Sequence, residues 1–304
     1  TVTGTITEVG SEDNVASAAV VKNGDDDVTA NYDITYVKGT LTVTQSSKAL
    51  VIGSSTKSWT YDGETHTDEV YTVTYDNAAV TADETGKVFA LPTGDTVTVT
   101  ATAAGVKYVA DSAENNNTYT YVLTNAGQYS SVTANYGKLS ITQAPLTITA
   151  DSNSKEYDGT ALTAAGTVTG YKNGEAADFT VTGSQTEVGE NPNTYTLVFK
   201  GQEGASETAT AVSTDYTISE DLGTLKVTAS TKELKVASAD GSWTYDGDAH
   251  QKPEYTVTYG TESYTVSVAE GETAAVATLS TGDKVTITPD ASATITHVAE
   301  TTVN

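Results

Sequence analysis

The stretch Thr93-Gly94-Asp95-Thr96-Val97-Thr98-Val99-Thr100 joins a Gly-Asp turn dipeptide to a strict alternation of Thr and Val. Alternation with a period of two puts successive side chains on opposite faces of a β-strand. Comparable runs recur about every 8–12 residues, which is the spacing of short strands in sandwiches and barrels. The clearest strands that this pattern predicts are Val97–Ala103, Tyr71–Tyr75, Leu146–Ala150 and Tyr255–Tyr259.

An internal repeat organises the chain. The opening stretch returns as Thr281–Thr288, with the sequence Thr-Gly-Asp-Lys-Val-Thr-Ile-Thr. Ser58-Trp59-Thr60-Tyr61-Asp62-Gly63 likewise returns as Ser242–Gly247. A fainter match, Tyr157-Asp158-Gly159, lacks the tryptophan and indicates a second type of repeat. The two types therefore alternate along the chain.

These matches divide the chain into four segments, which we call the first to the fourth repeat. A complete repeat closes on a short alternating strand, as in Gly137-Lys138-Leu139-Ser140-Ile141-Thr142. The predicted domains are the C-terminal half of a Tyr-Asp-Gly repeat at 1–45, a Trp-type repeat at 46–143, a complete Tyr-Asp-Gly repeat at 144–229, and a truncated Trp-type repeat at 230–304.

The predicted fold class is all-β, with tandem Ig-like β-sandwich domains. The linkers are only a few residues long, and one, Gln143-Ala144-Pro145, contains proline, so we expect restricted hinges and an extended rod. The alternative is a series of small β-grasp-like domains with one short helix each. That helix, or a long loop, would lie within Val80–Val88, where alternation is lost.

Composition restricts the partners. The formal net charge of −25 argues against nucleic acid and anionic membranes, both of which require clustered Lys and Arg. No apolar run approaches the roughly 20 residues that span a bilayer. The chain has no Cys, which for extracellular β-domains indicates a bacterial source, and no Met, which indicates an internal segment of a longer protein. We expect a location at the bacterial cell surface, on the cell wall.

The motifs resemble a known family. The Tyr-Asp-Gly turn, the segment Asn31-Tyr32-Asp33-Ile34-Thr35-Tyr36 and the closing strand resemble the MBG-type repeats of large Gram-positive surface proteins. The Trp-type segments Leu91–Asp95 and Gly127-Gln128-Tyr129 resemble the repeat that alternates with them in such proteins. The resemblance implies the stalk of an adhesin, which holds a binding tip away from the cell wall and has no catalytic residues. The alternative is that the repeats themselves bind host glycan or extracellular protein by avidity.

Few residues are candidates for a site, and we expect the chain not to be an enzyme. Nucleophile elbows, zinc motifs and phosphate-binding loops are missing from the sequence. Trp59 and Trp243 are candidate ligand-binding residues, because aligning the turns puts Lys155 at the same place and a site that accepts Lys is not deep core. The competing interpretation is that each tryptophan packs against the neighbouring domain.

Metal binding has one weak candidate. Asp25, Asp26 and Asp27 follow Asn-Gly in the densest acidic loop, where carboxylates could hold calcium, but their spacing differs from that of an EF-hand. A solvated hairpin tip is the alternative. His66, His250 and His297 do not form a zinc cluster in the sequence. We expect no cofactor.

An internal cross-link is also conceivable, because some surface rods join their first and last strands by a Lys–Asn isopeptide bond. Lys48 lies beside the first strand of the second repeat, and Asn135 lies just before its last strand. The third repeat has no lysine in its first strand, Leu146–Ala150. A device needed for strength should recur in every repeat, so we expect no such bond.

Overall fold

The computed structural model describes residues 2–290 and 292–296, and within them the chain is all-β. The helical segments there are 3-10 turns of three residues: Thr29–Asn31, Val109–Asp111, Ala126–Gln128 and Ser213–Asp215. The sandwich class is confirmed, and the β-grasp alternative is wrong. Within Val80–Val88, residues 81–87 form a loop instead, because Asp83 accepts the backbone N–H of Thr85 and Gly86 has a φ of +71°. No helix in these ranges is long and apolar enough to cross a membrane.

The chain divides into two compact units. The first comprises residues 1–144 together with 172–174 and 213–217. The second comprises 145–171, 175–212 and 218–304.

The first repeat contains a three-stranded sheet and a small hairpin. Its strands are β1 (Val2–Thr3), β2 (Gly10–Ala16), β3 (Lys22–Asn23), β4 (Asp26–Asp27) and β5 (Gly39–Val43). The closing strand β5 pairs antiparallel with β2, so that Gly10 lies opposite Val43. None of the described side chains in residues 4–45 is buried, so this segment has no closed core of its own.

The second repeat is a two-layer sandwich. Its strands are β6 (Leu50–Ser54), β7 (Lys57–Thr60), β8 (Tyr71–Tyr75), β9 (Ala78–Val80), β10 (Val88–Ala90), β11 (Thr96–Ala101), β12 (Tyr119–Leu123), β13 (Val132–Asn135) and β14 (Leu139–Thr142). One sheet has the order β13-β6-β8-β9 and the other β10-β11-β12, while β14 pairs with β7. The alternate apolar residues of the facing strands form one core; among them are Leu50, Ile52, Val73, Phe89, Val97 and Val99.

The third repeat closes in the same way as the first. Its strands are β15 (Ala144–Ala150), β16 (Asn153–Glu156), β17 (Gly166–Thr169), β18 (Asp178–Val181), β19 (Gly189–Pro192), β20 (Tyr195–Val198), β21 (Tyr216–Leu222) and β22 (Thr224–Thr228). The sheets have the orders β17-β15-β21, β16-β22-β19 and β18-β20. Gly189 lies opposite Val227, the pairing that Gly10 and Val43 make in the first repeat.

The fourth repeat reproduces the frame of the second. Its strands are β23 (Leu234–Ser238), β24 (Glu254–Tyr259), β25 (Glu262–Ser267), β26 (Ala275–Thr278) and β27 (Lys284–Ile287), arranged as β23-β24-β25 and β26-β27. Leu234 lies opposite Tyr259, as Leu50 lies opposite Tyr75 in the second repeat. The internal repeat read from the sequence is therefore also a repeat of strand register.

The described residues of the two Trp-type repeats differ at one edge. In the second repeat β13 pairs in parallel with β6, and Leu50 and Ile52 are only 1% and 0% exposed. Among the described residues of the fourth repeat no strand pairs with the corresponding edge of β23, and Leu234 and Val236 are 50% and 46% exposed. Burial at this edge therefore depends on the parallel strand.

This contrast predicts unequal effects of matched truncations. Ile52→Ala should lower the free energy of unfolding of the second repeat by about 3 kcal/mol, because it removes a fully buried side chain. Val236→Ala, at the equivalent and half-exposed position, should cost the fourth repeat less than about 1 kcal/mol. The chain has two tryptophans, one in each of these repeats, so urea titrations of single-tryptophan variants report each repeat separately. Equal losses would contradict the prediction.

Candidate functional site

The Tyr-Asp-Gly motif forms a tight turn in all three of its occurrences. The glycine has a positive φ each time, which L side chains rarely adopt: +82° at Gly63, +79° at Gly159 and +89° at Gly247. The aspartate Oδ1 accepts the backbone N–H two residues further on, from Glu64 to Asp62, from Thr160 to Asp158 and from Asp248 to Asp246. The turn read from the sequence is thus present.

A backbone bridge anchors the residue three positions after each glycine. The backbone N–H of His66 donates to the carbonyl of Val106 at 2.8 Å, and the carbonyl of His66 accepts the N–H of Val106 at 2.9 Å. The same reciprocal pair joins Leu162 to Gln185 and His250 to Ile295. The turn therefore holds its next residue against a distant segment, and each histidine is fixed in place by its backbone.

The two tryptophans stack on these histidines. The Trp59 and His66 rings lie 5.0 Å apart and 15° from parallel, and those of Trp243 and His250 lie 5.2 Å apart and 10° from parallel. His66 Nε2 lies 3.0 Å from Asp62 Oδ1, and His250 Nε2 lies 2.8 Å from the Oδ1 of its own turn aspartate, Asp246. The chain thus contains two copies of one Trp–His–Asp stack, and each tryptophan makes its ring contact within its own repeat.

The third repeat replaces this stack with a cation. Lys155 lies opposite Val227 on the closing strand, as Trp59 lies opposite Ile141, so the two residues are structurally equivalent. Lys155 Nζ donates to Asp158 Oδ1 at 2.5 Å and to the carbonyl of Thr160 at 2.7 Å. Tryptophan and lysine are interchangeable here because either arrangement puts a nitrogen donor on the turn aspartate.

These bonds stabilise the charged aspartates. The backbone N–H of Glu64 and the His66 ring hold the pKa of Asp62 below its usual range. Lys155 and the N–H of Thr160 lower the pKa of Asp158 strongly. Asp246 has a lowered pKa for the same reasons as Asp62. The turn aspartates are therefore held as carboxylates, which accept hydrogen bonds only.

The tryptophans differ in accessibility. Trp59 is half-buried, and Lys57 Nζ lies 5.2 Å from its ring centroid. Trp243 is 42% exposed and lines a cleft of about 210 Å³, together with Ser242, Tyr245, His250 and Ile295. Of the two candidate ligand-binding residues, Trp243 presents the more accessible ring.

Sequence reasoning missed that two of the turns contact the following repeat. Asn173 Nδ2 donates to the carbonyl of Gly63 at 3.2 Å, and Tyr61 packs edge-on against Tyr216 with centroids 5.4 Å apart. These contacts lie within the first compact unit. A Cβ atom on Gly63 would lie 2.5 Å from Asn173 Cβ, so the missing side chain of the glycine also lets Asn173 approach.

The second such contact lies within the second compact unit. The Tyr157 hydroxyl donates to Asp283 Oδ2 at 2.9 Å, and this bond raises the pKa of Tyr157. A Cβ atom on Gly159 would lie 1.9 Å from the backbone oxygen of Thr281. Thr281 and Asp283 belong to the Thr-Gly-Asp motif that the sequence marks as repeated.

A glutamine after the closing strand recurs with the same contacts. Gln45 Nε2 donates to the carbonyls of Gly127 and Tyr129 at 3.0 and 3.3 Å. Gln143 Nε2 donates to those of Thr214 and Tyr216, both at 3.1 Å. All of these residues belong to the first compact unit. In the sequence, this clamp is indicated only by the recurrence of glutamine in two of the linkers.

The acidic loop forms a hairpin tip. Lys22 lies opposite Asp27 and Asn23 opposite Asp26, with Asp25 in the turn between them. Asp27 Oδ1 accepts the N–H and the hydroxyl of Thr29 at 2.9 and 2.5 Å. No group of three His, Cys, Asp or Glu that could hold a metal ion occurs in the described ranges. His297 lies outside them.

The proposed partners of an isopeptide bond lie apart. Lys48 Nζ forms an ion pair with Asp76 at 3.0 Å, and Asn135 lies opposite Gly53 on β6. Five residues separate Lys48 from Gly53, which corresponds to about 16 Å along a strand.

Comparisons with protein-family models, with curated proteins and with solved structures give no match to this chain.

The contact at Gly159 can be separated from the cost of its φ. Gly159→Ala and Gly247→Ala both force an L residue into a positive φ, but nothing lies within 4 Å of the Cβ position at Gly247. We expect Gly159→Ala to increase amide hydrogen exchange several-fold in the segment 279–283, because the added methyl group would displace Thr281. Gly247→Ala should leave exchange there unchanged. Unchanged exchange in both variants would show that the contact is not formed.

The lowered pKa of Asp246 predicts acid sensitivity of its turn. Because the folded-state pKa lies below the unfolded value of about 3.9, the carboxylate contributes stability at neutral pH that is lost as pH falls through the folded-state pKa. In a Trp59→Phe background, the urea midpoint reported by Trp243 should therefore fall below about pH 4. Asp246→Asn should flatten this dependence and leave the midpoint at pH 2 nearly unchanged. Parallel pH curves for the two proteins would refute the assignment.

Proposed function

We propose that these repeats are spacer modules of a bacterial cell-surface adhesin, which hold a binding tip away from the cell wall. The observation that carries the proposal is duplication of the joint between repeats. Gln45 lies two residues after the closing strand β5, Gln143 directly follows β14, and each clamps two carbonyls of the next repeat. A joint that recurs with the same contacts is suited to setting the distance and orientation of one repeat relative to the next.

The use of the recurrent polar residues supports a structural role. The turn aspartates bind backbone N–H groups and a neighbouring His or Lys, and Tyr157 binds Asp283. Polar groups that bond to one another within the chain in this way leave few hydrogen-bond donors and acceptors for a substrate. The net charge of −25 and the resemblance to MBG-type repeats further support an extracellular, cell-wall location and the absence of an enzymatic role.

A binding role for the repeats themselves is the second candidate, and it depends on Trp243. This ring is 42% exposed beside a cleft, and exposed aromatic rings stack on sugars and on protein partners. Under this alternative the ligand is a host glycan or an extracellular protein. Trp59, which is half-buried under Lys57, is a weaker candidate in the same role.

Surface display tests the spacer role. The chain is placed between a cell-wall anchor and an epitope tag, and capture of the cells by antibody-coated beads is measured. Deletion of 46–229 and duplication of 46–229 both preserve the alternation of repeat types. We expect capture to fall with the deletion, which brings the tag closer to the cell-wall polymer. Capture should rise with the duplication, which moves the tag further from that polymer. Capture that is independent of length would contradict the spacer role.

A glycan array separates the two candidates. Under the spacer role, we expect the whole chain to give no array signal that is lost in Trp243→Ala. The binding role predicts hits that are lost in Trp243→Ala and largely retained in Trp59→Ala, the matched control at the equivalent but less accessible position.

A further inference from the structure

We infer that the second repeat associates side by side with a second copy of this chain: the outer edge of β12 pairs antiparallel with β12 of that copy, about a two-fold axis at Tyr121. This inference concerns an interaction surface. It is independent of the spacer role, because chains can associate laterally whether or not they carry a binding tip. The second repeat contains both of its closing strands, β13 and β14, so its edges are those of a complete module.

The strand β12 lies at the end of its sheet. It pairs with β11 along its whole length, from Tyr119 opposite Ala101 to Leu123 opposite Val97. Among the described residues no strand pairs with the outer edge of β12. Such an edge presents a row of backbone N–H and C=O groups that can bind another strand.

The ladder with β11 determines which backbone groups of β12 point outward. The N–H of Thr124 donates to the carbonyl of Thr96 at 3.0 Å, so these two residues form a hydrogen-bonded pair. Hydrogen-bonded and non-hydrogen-bonded pairs alternate along an antiparallel ladder. Tyr119, Tyr121 and Leu123 therefore direct their N–H and C=O groups away from β11.

This outer edge is bounded at both ends. At one end the N–H of Asn117 donates to the carbonyl of Gly137 at 3.0 Å, on the side away from β11, as the alternation requires. At the other end Asn125 has a φ of +49°, which ends the extended backbone. The five residues of β12 between these points, Tyr119–Leu123, are the length that a second strand can use.

The segment that contains β12 carries no charge. Residues 115–137 are the longest run of the chain without Asp, Glu, Lys, Arg or His, in a protein of formal net charge −25. The two charged residues that flank the run, Glu114 and Lys138, form an ion pair at 2.6 Å. Because copies of so acidic a chain repel one another, their close approach costs least at an uncharged surface.

Other strands that end the sheets of the second repeat are flanked by charges. Asp76, two residues before β9, pairs with Lys48 at 3.0 Å. Lys87, directly before β10, pairs with Glu69 at 2.6 Å. Charged side chains at an edge strand hinder its pairing with another chain. The ends at β12 and β13, both within the uncharged run, lack this protection.

Exposed side chains favour β12 over β13. Val122 is 69% exposed, whereas Val132 of β13 packs against the core. With Tyr121 on the two-fold axis, Val122 of each copy lies opposite Thr120 of the other. This is a non-hydrogen-bonded pair, in which the side chains on one face are closest, so both valines would be removed from water.

Sedimentation equilibrium of the whole chain tests the association. We expect a monomer–dimer equilibrium at concentrations up to about 1 mM. Val122→Glu should weaken dimerisation by about ten-fold or more, because the pairing would bury a carboxylate. Val70→Glu is the matched control and should have little effect, because Val70 is 57% exposed in the same repeat, lies outside β12, and gives the same net charge on substitution. Equal urea midpoints of the two variants would exclude unfolding as the cause.

Salt gives a second readout. Raising NaCl from about 0.1 M to about 1 M should strengthen dimerisation, because it screens the repulsion between acidic copies without weakening contacts between uncharged strands. An interface built on ion pairs would respond in the opposite direction.

Single cysteines test the register, because the chain has no Cys of its own. Chains carrying Thr120→Cys and Val122→Cys, one of them with an affinity tag, are mixed and oxidised. Residues that face each other in a non-hydrogen-bonded pair have Cα atoms about 4.5 Å apart, within the range of a disulfide. Identical positions of the two copies would lie on a diagonal of about 7–8 Å, which is too long. We therefore expect the mixed disulfide to form several-fold faster than either homodimer.

Four results would overturn the inference. The first is the absence of dimer up to about 1 mM, at which the standard free energy of association would be no better than about −4 kcal/mol. The second is equal dimerisation of Val122→Glu and Val70→Glu. The third is dimerisation that weakens with salt. The fourth is a mixed disulfide that forms no faster than the homodimers, which would show that the copies meet in another register or on another face.

Discussion

The parallel pairing of a late strand with an early one is the constraint on which each complete repeat depends. In the second repeat β13 and β14 return from the end of the chain segment to lie beside β6 and β7. In the third, β22 returns to β16. Alternating strands alone make sheets with an open edge, and a sheet buries its apolar face fully only when the last strand covers that edge. In the described part of the fourth repeat no strand pairs with this edge, and there Leu234 and Val236 are half-exposed.

The Tyr-Asp-Gly turn depends on this pairing and adds to it. The turn follows directly after the strand that receives the closing strand, so its position is set by the core. From there it holds a residue against a distant segment, and in the second and third repeats its tyrosine and glycine lie against the following repeat. Two such turns contact the following repeat, at Asn173 and at Thr281. In each, the glycine adopts the positive φ of the turn, and its lack of a side chain lets the neighbouring repeat approach. The turn carboxylate is bonded either by a His ring that stacks on Trp or by a Lys ammonium.

These features explain why short linkers suffice. Gln143 follows the closing strand β14, and its amide binds the carbonyls of Thr214 and Tyr216 in the next repeat. The recurrent glutamines bind one repeat to the next, and the recurrent aspartates form the turns. A chain built in this way gives the spacer proposal a physical basis, because stiffness at a joint comes from bonds on both sides of it.

Much of the fold followed from the sequence. Alternation in Val97–Ala103 and Tyr71–Tyr75 predicted strands, which the structure has at Thr96–Ala101 and Tyr71–Tyr75, and Asp-Gly dipeptides predicted turns, because both depend on neighbouring residues alone. The repeat also predicted that equivalent residues would have equivalent environments. What only the tertiary structure decided were contacts between residues far apart in the chain: the parallel return of β13 and β14, the approach of Ser55 to Gly137, and the clamp from Gln143 to Tyr216. Strand patterns specify which face of a strand is apolar but not which strand will cover it. That choice is made by the packing of the whole repeat, where burial of Leu50, Ile52 and Leu139 outweighs the entropy of closing a long loop.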